Sequence, residues 1–425
     1  MTTTIGELAT RLFGADAPFR LEAYDGSSGG GADAPVVFRL LNERGLRYLV
    51  TAPGELGLAR AYVQGDLEVP GLDMGDPTAL LDALPQQIQV QRPALSELPN
   101  LLRDLGIRSL VPPPLPTVEA VPGWRRALEG LRHSRRRDAQ AIHHHYDVSN
   151  SFYELVLGPS MAYTCACYPR EDASLEEAQA HKFDLVCKKL GLRPGMRLLD
   201  VGAGWGGMVR HAVQHYGVTA LGVTLSREQA TYAQQWIKND RLDDRAEVRH
   251  LDYRDVAEGD FDAISSIGLT EHIGVKNYPD YFAFLHAKLR PGGRLLNHSI
   301  TRPDTQHDGV PRGGFINRYV FPDGELTGVG TIVSRMQDQG FEVRHVEDLR
   351  EHYVRTCRAW ARNLSASWDD AVEEAGLATA KVWGLYLAGS SLGFRRNVVQ
   401  LHQVLGEKLA PDGSGDYPLR PDFGV

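Results

Sequence analysis

Along the second half of the chain, short apolar runs alternate with segments whose apolar residues recur every three or four positions. From Met196 onward the apolar runs predict strands at 197–201, 218–224, 248–251, 263–267 and 294–300. The segments between them predict helices at 206–216, 227–239 and 278–289. Because strands that alternate with helices form parallel sheets covered on both faces, we expect an α/β fold with a doubly wound, mostly parallel, Rossmann-like sheet.

The first 111 residues have a less regular pattern. Strand-like runs at 35–41 and 47–51 and a helix-like run at 58–64 predict a small α+β domain. The segment VPPPLP at 111–116 predicts a stiff polyproline linker. We therefore place an N-terminal domain at 1–111, a linker with a basic helical segment at 112–145, and the main domain with a C-terminal helical cap at 146–425.

The composition is that of a globular protein, with 42% hydrophobic and 24% charged residues. A length of 425 residues is too great for one ordinary core and predicts two domains. Four cysteines are too few for a disulfide framework, and the N-terminus lacks the pattern of a signal peptide. With no apolar run of 18 residues, we expect a cytoplasmic protein that reaches any lipid from the inner surface of the membrane.

The charge distribution separates one segment from the rest. A net charge of −8 argues against general nucleic-acid binding, which needs a basic face. Residues 124–137 reverse this sign with six arginines and one histidine. The segment is either a docking site for anionic phospholipid headgroups or a solvated helix face whose charges pair with acids elsewhere, and charge alone leaves both open.

The glycine-rich segment at 199–207, LDVGAGWGG, follows a predicted strand and opens a predicted helix. Glycines there permit a tight turn and close approach to a ligand. A dinucleotide site is one interpretation, but that fingerprint needs an acid after the second strand, where this chain reads Thr224-Leu225-Ser226. Asp200, just before the glycines, instead suits the ammonium group of S-adenosylmethionine, so a methyltransferase is favoured.

Two further segments fit the same cofactor. Thr224, Ser226 and Gln229 lie where ribose and methionine groups would pass, and Tyr253 with Arg254 could hold the adenine edge. Ordinary turn and cap chemistry is the alternative, because Ser226 and Gln229 also form a plausible capping box. Both roles are compatible.

From about His144 to Gln403 the chain resembles the cyclopropane-fatty-acyl-phospholipid synthase family, which includes the mycolic-acid cyclopropane synthases. The resemblance depends on several separate motifs. They are HHYDVSN at 144–150, YTCACY at 163–168, LEEAQ at 175–179, PGM at 194–196, the glycine loop, GVTLS at 222–226, EHIG at 271–274, His298, HY at 352–353 and GFR at 393–395. The N-terminal domain is similar to the lipid-binding front domain of the phospholipid-acting members.

The resemblance implies methyl transfer from S-adenosylmethionine to the double bond of an acyl chain, through a carbocation, with a bound bicarbonate ion as the base. Residues that match the bicarbonate site are Cys165, Glu271, His298 and Tyr353. Residues that match cofactor contacts are Tyr163, Thr164, Gly202, Gly204, Thr224, Gln229, Tyr253 and Arg254. It also implies a phospholipid partner at the membrane surface and a homo-oligomer.

Other interpretations of single residues remain. The cluster His143–His145 with Cys165 and Cys167 suggests zinc, but closed zinc sites use wider cysteine spacing, so we predict no metal. Cys165 could be a nucleophile, although no Cys-His-Asn pattern surrounds it. Glu271 alone could be a helix-cap carboxylate, and Tyr353 alone a core residue.

The sequence departs from the family pattern at Thr270, where an aromatic residue is common, and at Asn297, where an apolar residue is usual. Both would bring polar groups to the reacting centre if their side chains face it. The chain as a whole looks closest to the branch that forms a 10-methylene product, the precursor of a mid-chain methyl branch as in tuberculostearic acid. A cyclopropane product stays open, and a separate reductase would have to complete the branch.

Three hypotheses from other classes compete with this interpretation. A methyltransferase for a small soluble acceptor would leave the N-terminal domain and the basic segment without a purpose. A non-catalytic lipid-binding protein with a relic cofactor fold would not need Glu271, His298 and Tyr353 together. A nicotinamide-dependent enzyme is disfavoured by the missing acid after the second strand.

Overall fold

The computed structural model describes residues 3–85, 106–119, 148–306, 314–320 and 324–424. Within these residues the chain divides into two compact units. The first comprises Met1–Pro122, Pro311–Pro322 and Leu364–Leu392, and the second comprises Gly123–Val310, Asp323–Asn363 and Gly393–Val425. The basic segment at 124–137 and the motif residues His143 to Asp147 lie outside the described residues.

The first unit contains a four-stranded sheet. Its elements are α1 (Ile5–Phe13), β1 (Phe19–Ala23), β2 (Ser28–Gly30), β3 (Val36–Leu40), α2 (Glu43–Thr51), α3 (Glu55–Val63), β4 (Leu67–Glu68) and α4 (Thr78–Ala83). The strand order is β2-β1-β3-β4, with β1 parallel to β3 and antiparallel to β2. Mixed strands and helices agree with the α+β character predicted for this part of the chain.

One element of this unit was predicted wrongly. Residues 47–51 were expected to form a strand, but they are the second half of α2. Asn42 caps this helix by accepting a hydrogen bond from the Gly45 backbone at 3.0 Å. Gly45 and Tyr48, three residues apart, are both buried on one face. Capping and burial therefore outweigh the β-propensity of the run Tyr48 to Thr51.

The proline segment packs against the first unit. Arg47 Nε donates to the Val111 carbonyl at 2.8 Å, and the Tyr48 hydroxyl donates to the Pro114 carbonyl at 2.5 Å. Glu119, just beyond, is buried and accepts from Arg60 at 2.7 Å. We assigned this segment to a linker and residues 364–392 to the main domain, whereas the structure groups both with the first unit.

The second unit is built on a seven-stranded sheet. Its strands are β5 (Arg197–Val201), β6 (Thr219–Thr224), β7 (Ala246–His250), β8 (Phe261–Ile267), β9 (Leu289–Thr301), β10 (Phe341–Asp348) and β11 (Gln400–Lys408). The order is β10-β11-β9-β8-β5-β6-β7. All neighbours are parallel except β11, which is antiparallel to both β9 and β10. This confirms the predicted mostly parallel α/β sheet.

The second unit also contains helices. They include α5 (Asn150–Leu157), α6 (Leu175–Leu190), α7 (Gly207–Tyr216), α8 (Arg227–Asn239), α9 (Thr270–Ile273), α10 (Tyr278–Lys288), α12 (Val329–Asp338) and α13 (Arg350–Ala366). The remaining helices are α11 (Phe315–Tyr319), α14 (Trp368–Ala375) and α15 (Leu377–Arg395). One core cluster packs α6, α7 and α8 on the sheet, and a second packs α10 and α12 on the other face. Burial on both faces explains the nearly continuous apolar runs of the strands.

Helix α8 spans the predicted 227–239, and the other predicted elements of the sheet agree within a few residues at most ends. The exception is β9, which begins five residues before the predicted position, at Leu289. In the part of the chain that the structure describes, no helix has both the length and the hydropathy needed to cross a bilayer.

Candidate active site

The glycine loop connects β5 to α7 at the carboxyl end of the sheet. Gly202, Gly204 and Gly206 have φ of 79°, 55° and 81°, in the left-handed region that favours glycine. A Cβ on Gly202 would lie 3.2 Å from the Leu269 side chain. The loop therefore keeps its backbone bare where a ligand would approach the edge of the sheet.

A pocket opens beside this loop. It is lined by Gly202, Gly204, Val223, Thr224, Leu225, Gln229, Leu251, Tyr253, Arg254, Gly268, Leu269, His272 and Ile273. These residues follow β5, β6, β7 and β8, whose carboxyl ends meet at one edge, as ligand sites in open α/β sheets do. Six of the residues predicted to bind the cofactor are among them, whereas the apolar wall around Leu269 was not predicted.

Thr224 and Gln229 are joined inside this pocket, because the Thr224 hydroxyl donates to Gln229 Oε1 at 2.8 Å. Ser226 caps α8 by accepting from the Gln229 backbone at 3.2 Å. The Gln229 side chain does not return to the cap, so only half of the predicted capping box forms. Its amide is instead held toward the pocket.

Asp200 and Thr164 lie close to the glycine loop but do not line the pocket. Asp200 accepts a hydrogen bond from Ser265 Oγ at 2.6 Å, and burial raises its pKa to about 6. Thr164 packs against Gly268 and accepts a hydrogen bond from Lys182 Nζ at 2.9 Å. Burial lowers the pKa of Lys182 to about 8.

Lys182 was not predicted as a site residue. It is fully buried between Ala178 and Val186, the positions one helical turn before and after it, which are also fully buried. A lysine in the apolar stripe of an amphipathic helix was the signal that could have identified it.

Tyr163 belongs to an aromatic cluster. Its ring lies 5.8 Å from Tyr153 and 5.5 Å from Trp360, measured between centroids. The Tyr153 ring lies 4.8 Å from the Trp205 ring of the glycine loop, and the Trp360 ring lies 6.1 Å from the Tyr353 ring, again between centroids. Aromatic rings therefore run from the cofactor loop to the predicted base site.

Glu271 lies on the short helix α9, next to the pocket residues Leu269 and His272. Its Oε1 accepts a hydrogen bond from the Ile300 backbone at 2.7 Å, while Oε2 is buried with no partner among the described residues. Burial raises the pKa of Glu271 to about 7. The carboxyl group can therefore exist in either protonation state near neutral pH.

His298 lies on β9 and is 1% exposed. Its Nδ1 is 3.1 Å from Gln403 Nε2, and its Nε2 is buried without a partner among the described residues. Burial lowers the pKa of His298 well below its usual value, so the ring is neutral. His298 and Ile300 lie two residues apart on β9, so their Cα atoms are about 7 Å apart along the strand. Since the Ile300 backbone donates to Glu271, this spacing relates His298 to the Glu271 carboxyl group.

Cys165 and Tyr353 are brought together by shared hydrogen bonds. The Leu349 carbonyl accepts from the Cys165 thiol at 3.8 Å and from the Tyr353 backbone at 3.2 Å. The Ala166 backbone also donates to the hydroxyl of Thr356 on α13 at 3.1 Å. Burial raises the pKa of the Cys165 thiol well above its usual value, which disfavours a thiolate nucleophile.

Thr270 and Asn297 do not face the same way as His298. Side chains alternate along a strand, so Asn297 points to the opposite face of β9. The Thr270 hydroxyl donates to Asn297 Oδ1 at 2.9 Å, and Asn297 Nδ2 donates to Ser299 Oγ at 3.1 Å. The two unusual polar side chains therefore form a hydrogen bond with each other on the face of β9 opposite His298.

Three comparisons with known proteins agree with this geometry. The family model described as mycolic acid cyclopropane synthetase matches residues 133–404. The chain is 57% identical over 404 residues to the probable fatty acid methyltransferase Rv3720 of Mycobacterium tuberculosis, covering 95% of this chain and 94% of the relative. It is 32% identical over 364 residues to cyclopropane-fatty-acyl-phospholipid synthase of Escherichia coli K12, covering 86% of each.

Two solved structures of cyclopropane synthases are also similar to this chain. The cyclopropane synthase MmaA2 from Mycobacterium tuberculosis matches with a TM-score of 0.58 and 34% identity, over 64% of this chain and 99% of that one. The mycolic acid cyclopropane synthase CmaA1, complexed with SAH and CTAB, matches with a TM-score of 0.59 and 34% identity, over 64% and 98%.

Proposed function

Since this chain belongs to the mycolic acid cyclopropane synthetase family of S-adenosylmethionine-dependent methyltransferases, we propose that it methylates the cis double bond of an oleoyl-type phospholipid acyl chain. The proposed product carries a 10-methylene group. The observation that carries the proposal is two buried polar atoms without hydrogen-bond partners among the described residues, Glu271 Oε2 and His298 Nε2. Both residues adjoin the pocket, since Glu271 precedes the pocket residue His272 and the His298 carbonyl accepts from the backbone of the pocket residue Gly268 at 2.8 Å.

The pocket residues fit the cofactor. Gly202 has φ 79° and lines the pocket, and a Cβ on it would lie 3.2 Å from the Leu269 side chain, so only a bare backbone fits here and can lie against a ligand. Thr224 and Gln229 offer polar groups on one wall, and Arg254, in an ion pair with Asp252 at 2.6 Å, lies on another. When bound there, S-adenosylmethionine supplies an electrophilic methyl group.

The unpartnered atoms fit a small oxyanion. Neutral His298 can donate one hydrogen bond, and Glu271 can donate another when it is protonated, which a pKa of about 7 permits. A protonated Glu271 also avoids the repulsion between two adjacent anions. A bicarbonate ion held at these atoms would supply the base that takes up the proton lost after methylation.

The chain's aromatic residues would exclude water. An alkene is a weak nucleophile and a carbocation beside water is quenched, so positioning and a dry site must contribute most to the rate. Tyr163, Trp360 and Tyr353 present aromatic faces between the glycine loop and the proposed base site. Such faces also stabilise a nearby positive charge.

After methyl addition two products are open. Loss of a proton from the new methyl group closes a cyclopropane, whereas a hydride shift followed by proton loss leaves an exocyclic methylene. The resemblance of the whole chain, including its N-terminal domain, to the methylene-forming branch of the family is the ground for proposing the methylene product. Reduction of that methylene would belong to a separate reductase, because the described residues have one nucleotide-type glycine loop.

The proposal extends to where the protein works. We infer that it acts as a homo-oligomer at the inner surface of the membrane, with the first unit and the basic segment at 124–137 toward the phospholipid.

The test is mass spectrometry of acyl chains after incubation with oleoyl-phospholipid liposomes and S-adenosylmethionine. We expect a gain of one CH₂ unit, and none with matched stearoyl liposomes that lack the double bond. NMR of the product then separates a methylene from a cyclopropane. Methylation of a small soluble acceptor with no gain on oleoyl chains would reject the proposal.

A further inference from the structure

A line of polar side chains runs behind His298, away from the pocket. In the register of the sheet, Glu347 on β10 lies opposite Gln403 on β11, and Gln403 lies opposite His298 on β9. Lys189 of α6 reaches this row from above, forms an ion pair with Glu347, and donates to Gln403 Oε1 at 2.6 Å. Lys189, Gln403 and His298 are each 1% exposed.

This arrangement determines the orientation of the Gln403 amide. A lysine ammonium has three donors and no acceptor, so the atom facing Lys189 must be the amide oxygen. Burial lowers the pKa of Lys189, and the ion pair with Glu347 opposes this shift and favours the charged ammonium. The amide nitrogen of Gln403 therefore faces His298, at 3.1 Å from Nδ1.

The amide orientation in turn determines the tautomer of His298. An amide NH₂ can only donate, so Nδ1 must be the unprotonated, accepting nitrogen of the ring. A neutral imidazole with an unprotonated Nδ1 carries its proton on Nε2. That atom is the one buried without a hydrogen-bond partner among the described residues.

We propose that Gln403 and Lys189 are positioning residues that hold His298 as the neutral Nε2–H tautomer, with its donor aimed at the proposed oxyanion site. This inference deepens the proposed function and rests on it for the identity of the group that accepts the hydrogen bond. The opposite tautomer would present a lone pair of Nε2 to the bound anion, which would repel it. Neither residue contacts the pocket, so each acts through His298.

The direct test is ¹⁵N NMR of protein labelled at histidine. The His298 signals are identified by their loss in His298→Gln. We expect Nε2 of His298 to have the shift of a protonated nitrogen and Nδ1 that of an unprotonated one, without any substrate. The reverse pattern in the wild-type protein would overturn the inference.

The informative variant is Gln403→Glu, which keeps the side-chain size and the contact with Lys189 but replaces the donor by an acceptor. We expect Nδ1 of His298 to become protonated, because it must now donate to the carboxylate. Turnover should fall at least about tenfold while cofactor affinity is unchanged, as for other residues that orient an active-site histidine. An unchanged Nδ1 signal, or unchanged turnover, would contradict the role of Gln403.

Gln400→Glu is the matched control. Gln400 lies on the same strand, is half-buried, and bonds to Asn397 instead of a histidine. We expect it to leave both the His298 signals and turnover unaltered. If Gln403→Glu does not fold, Lys189→Met serves instead, because it frees the Gln403 amide to turn and should give a mixture of His298 tautomers.

The outcomes separate this inference from the proposed function. The expected tautomer with no turnover on oleoyl liposomes would reject the function and leave the positioning intact. Turnover with the opposite tautomer would reject the positioning and leave the function intact.

Discussion

Replacing Glu271 by glutamine should stabilise the protein while it removes activity. Burial raises the pKa of Glu271 from 4.5 to about 7. An acid whose folded pKa exceeds its unfolded pKa is less favourable in the folded state when ionised, so the penalty is absent below the lower value and complete above the higher one. A rise of this size corresponds to about 3 kcal/mol of unfolding free energy.

The magnitude follows from one hydrogen bond that is kept and one charge that is removed. Glutamine retains an amide oxygen to accept from the Ile300 backbone, so the bond that holds the side chain is preserved. It cannot ionise, so the penalty for a buried carboxylate disappears. We therefore expect Glu271→Gln to be up to about 3 kcal/mol more stable than the wild type at pH 8 and nearly equal to it at pH 4.

Activity should change in the opposite direction. Loss of a group that positions or supplies a base costs roughly 10²–10⁴ in rate, so turnover should be nearly abolished. Cofactor affinity should be retained, because Glu271 does not line the pocket. A gain in stability with a loss of function is the pattern expected at a strained active site.

The assays are denaturant unfolding at pH 4 and pH 8, calorimetric titration with S-adenosylhomocysteine, and methyl transfer to oleoyl liposomes. Glu176→Gln is the control, since Glu176 is exposed on α6 and should show neither effect. Turnover within about tenfold of wild type would contradict the catalytic role. A stability difference that does not depend on pH would contradict the burial argument.

Three further predictions concern other parts of the site. Gly202→Ala should weaken cofactor binding at least tenfold by titration, whereas the control Gly195→Ala should lower only stability, because Gly195 is also in the left-handed region but a Cβ added there would meet nothing within 4 Å. Equal cofactor affinity in both variants would refute the close approach of the ligand to Gly202. Tyr353→Phe keeps the ring stacked on Phe394 at 4.4 Å between centroids, and it should lower turnover about tenfold or more while cofactor affinity is unchanged. Full activity would show that the Tyr353 hydroxyl takes no part in the reaction. Reversing the charges of the three arginines at 135–137 should weaken binding to anionic liposomes in sedimentation assays, more so at low salt; unchanged binding would make this segment structural.

The sequence by itself determined the features that depend on neighbouring residues. The alternation of apolar strands and amphipathic helices predicted the parallel sheet, and α8 was located to the residue. Six of the thirteen residues that line the pocket were also predicted, because each segment directly follows a strand and the carboxyl ends of parallel strands share one edge. The strand predicted at 47–51 was wrong because local propensity yielded to a helix cap and to the burial of Tyr48.

The tertiary structure decided which distant residues meet. Gln403 is 105 positions from His298, and they are opposite each other only because β11 inserts between β9 and β10, out of chain order. Lys182 and Lys189 became site candidates through the packing of α6, which buries both. Asn297 lies next to His298 in the chain and points to the other face of β9, because strand side chains alternate. Strand order and the contacts between distant polar groups are set by the whole fold, so no local pattern encodes them.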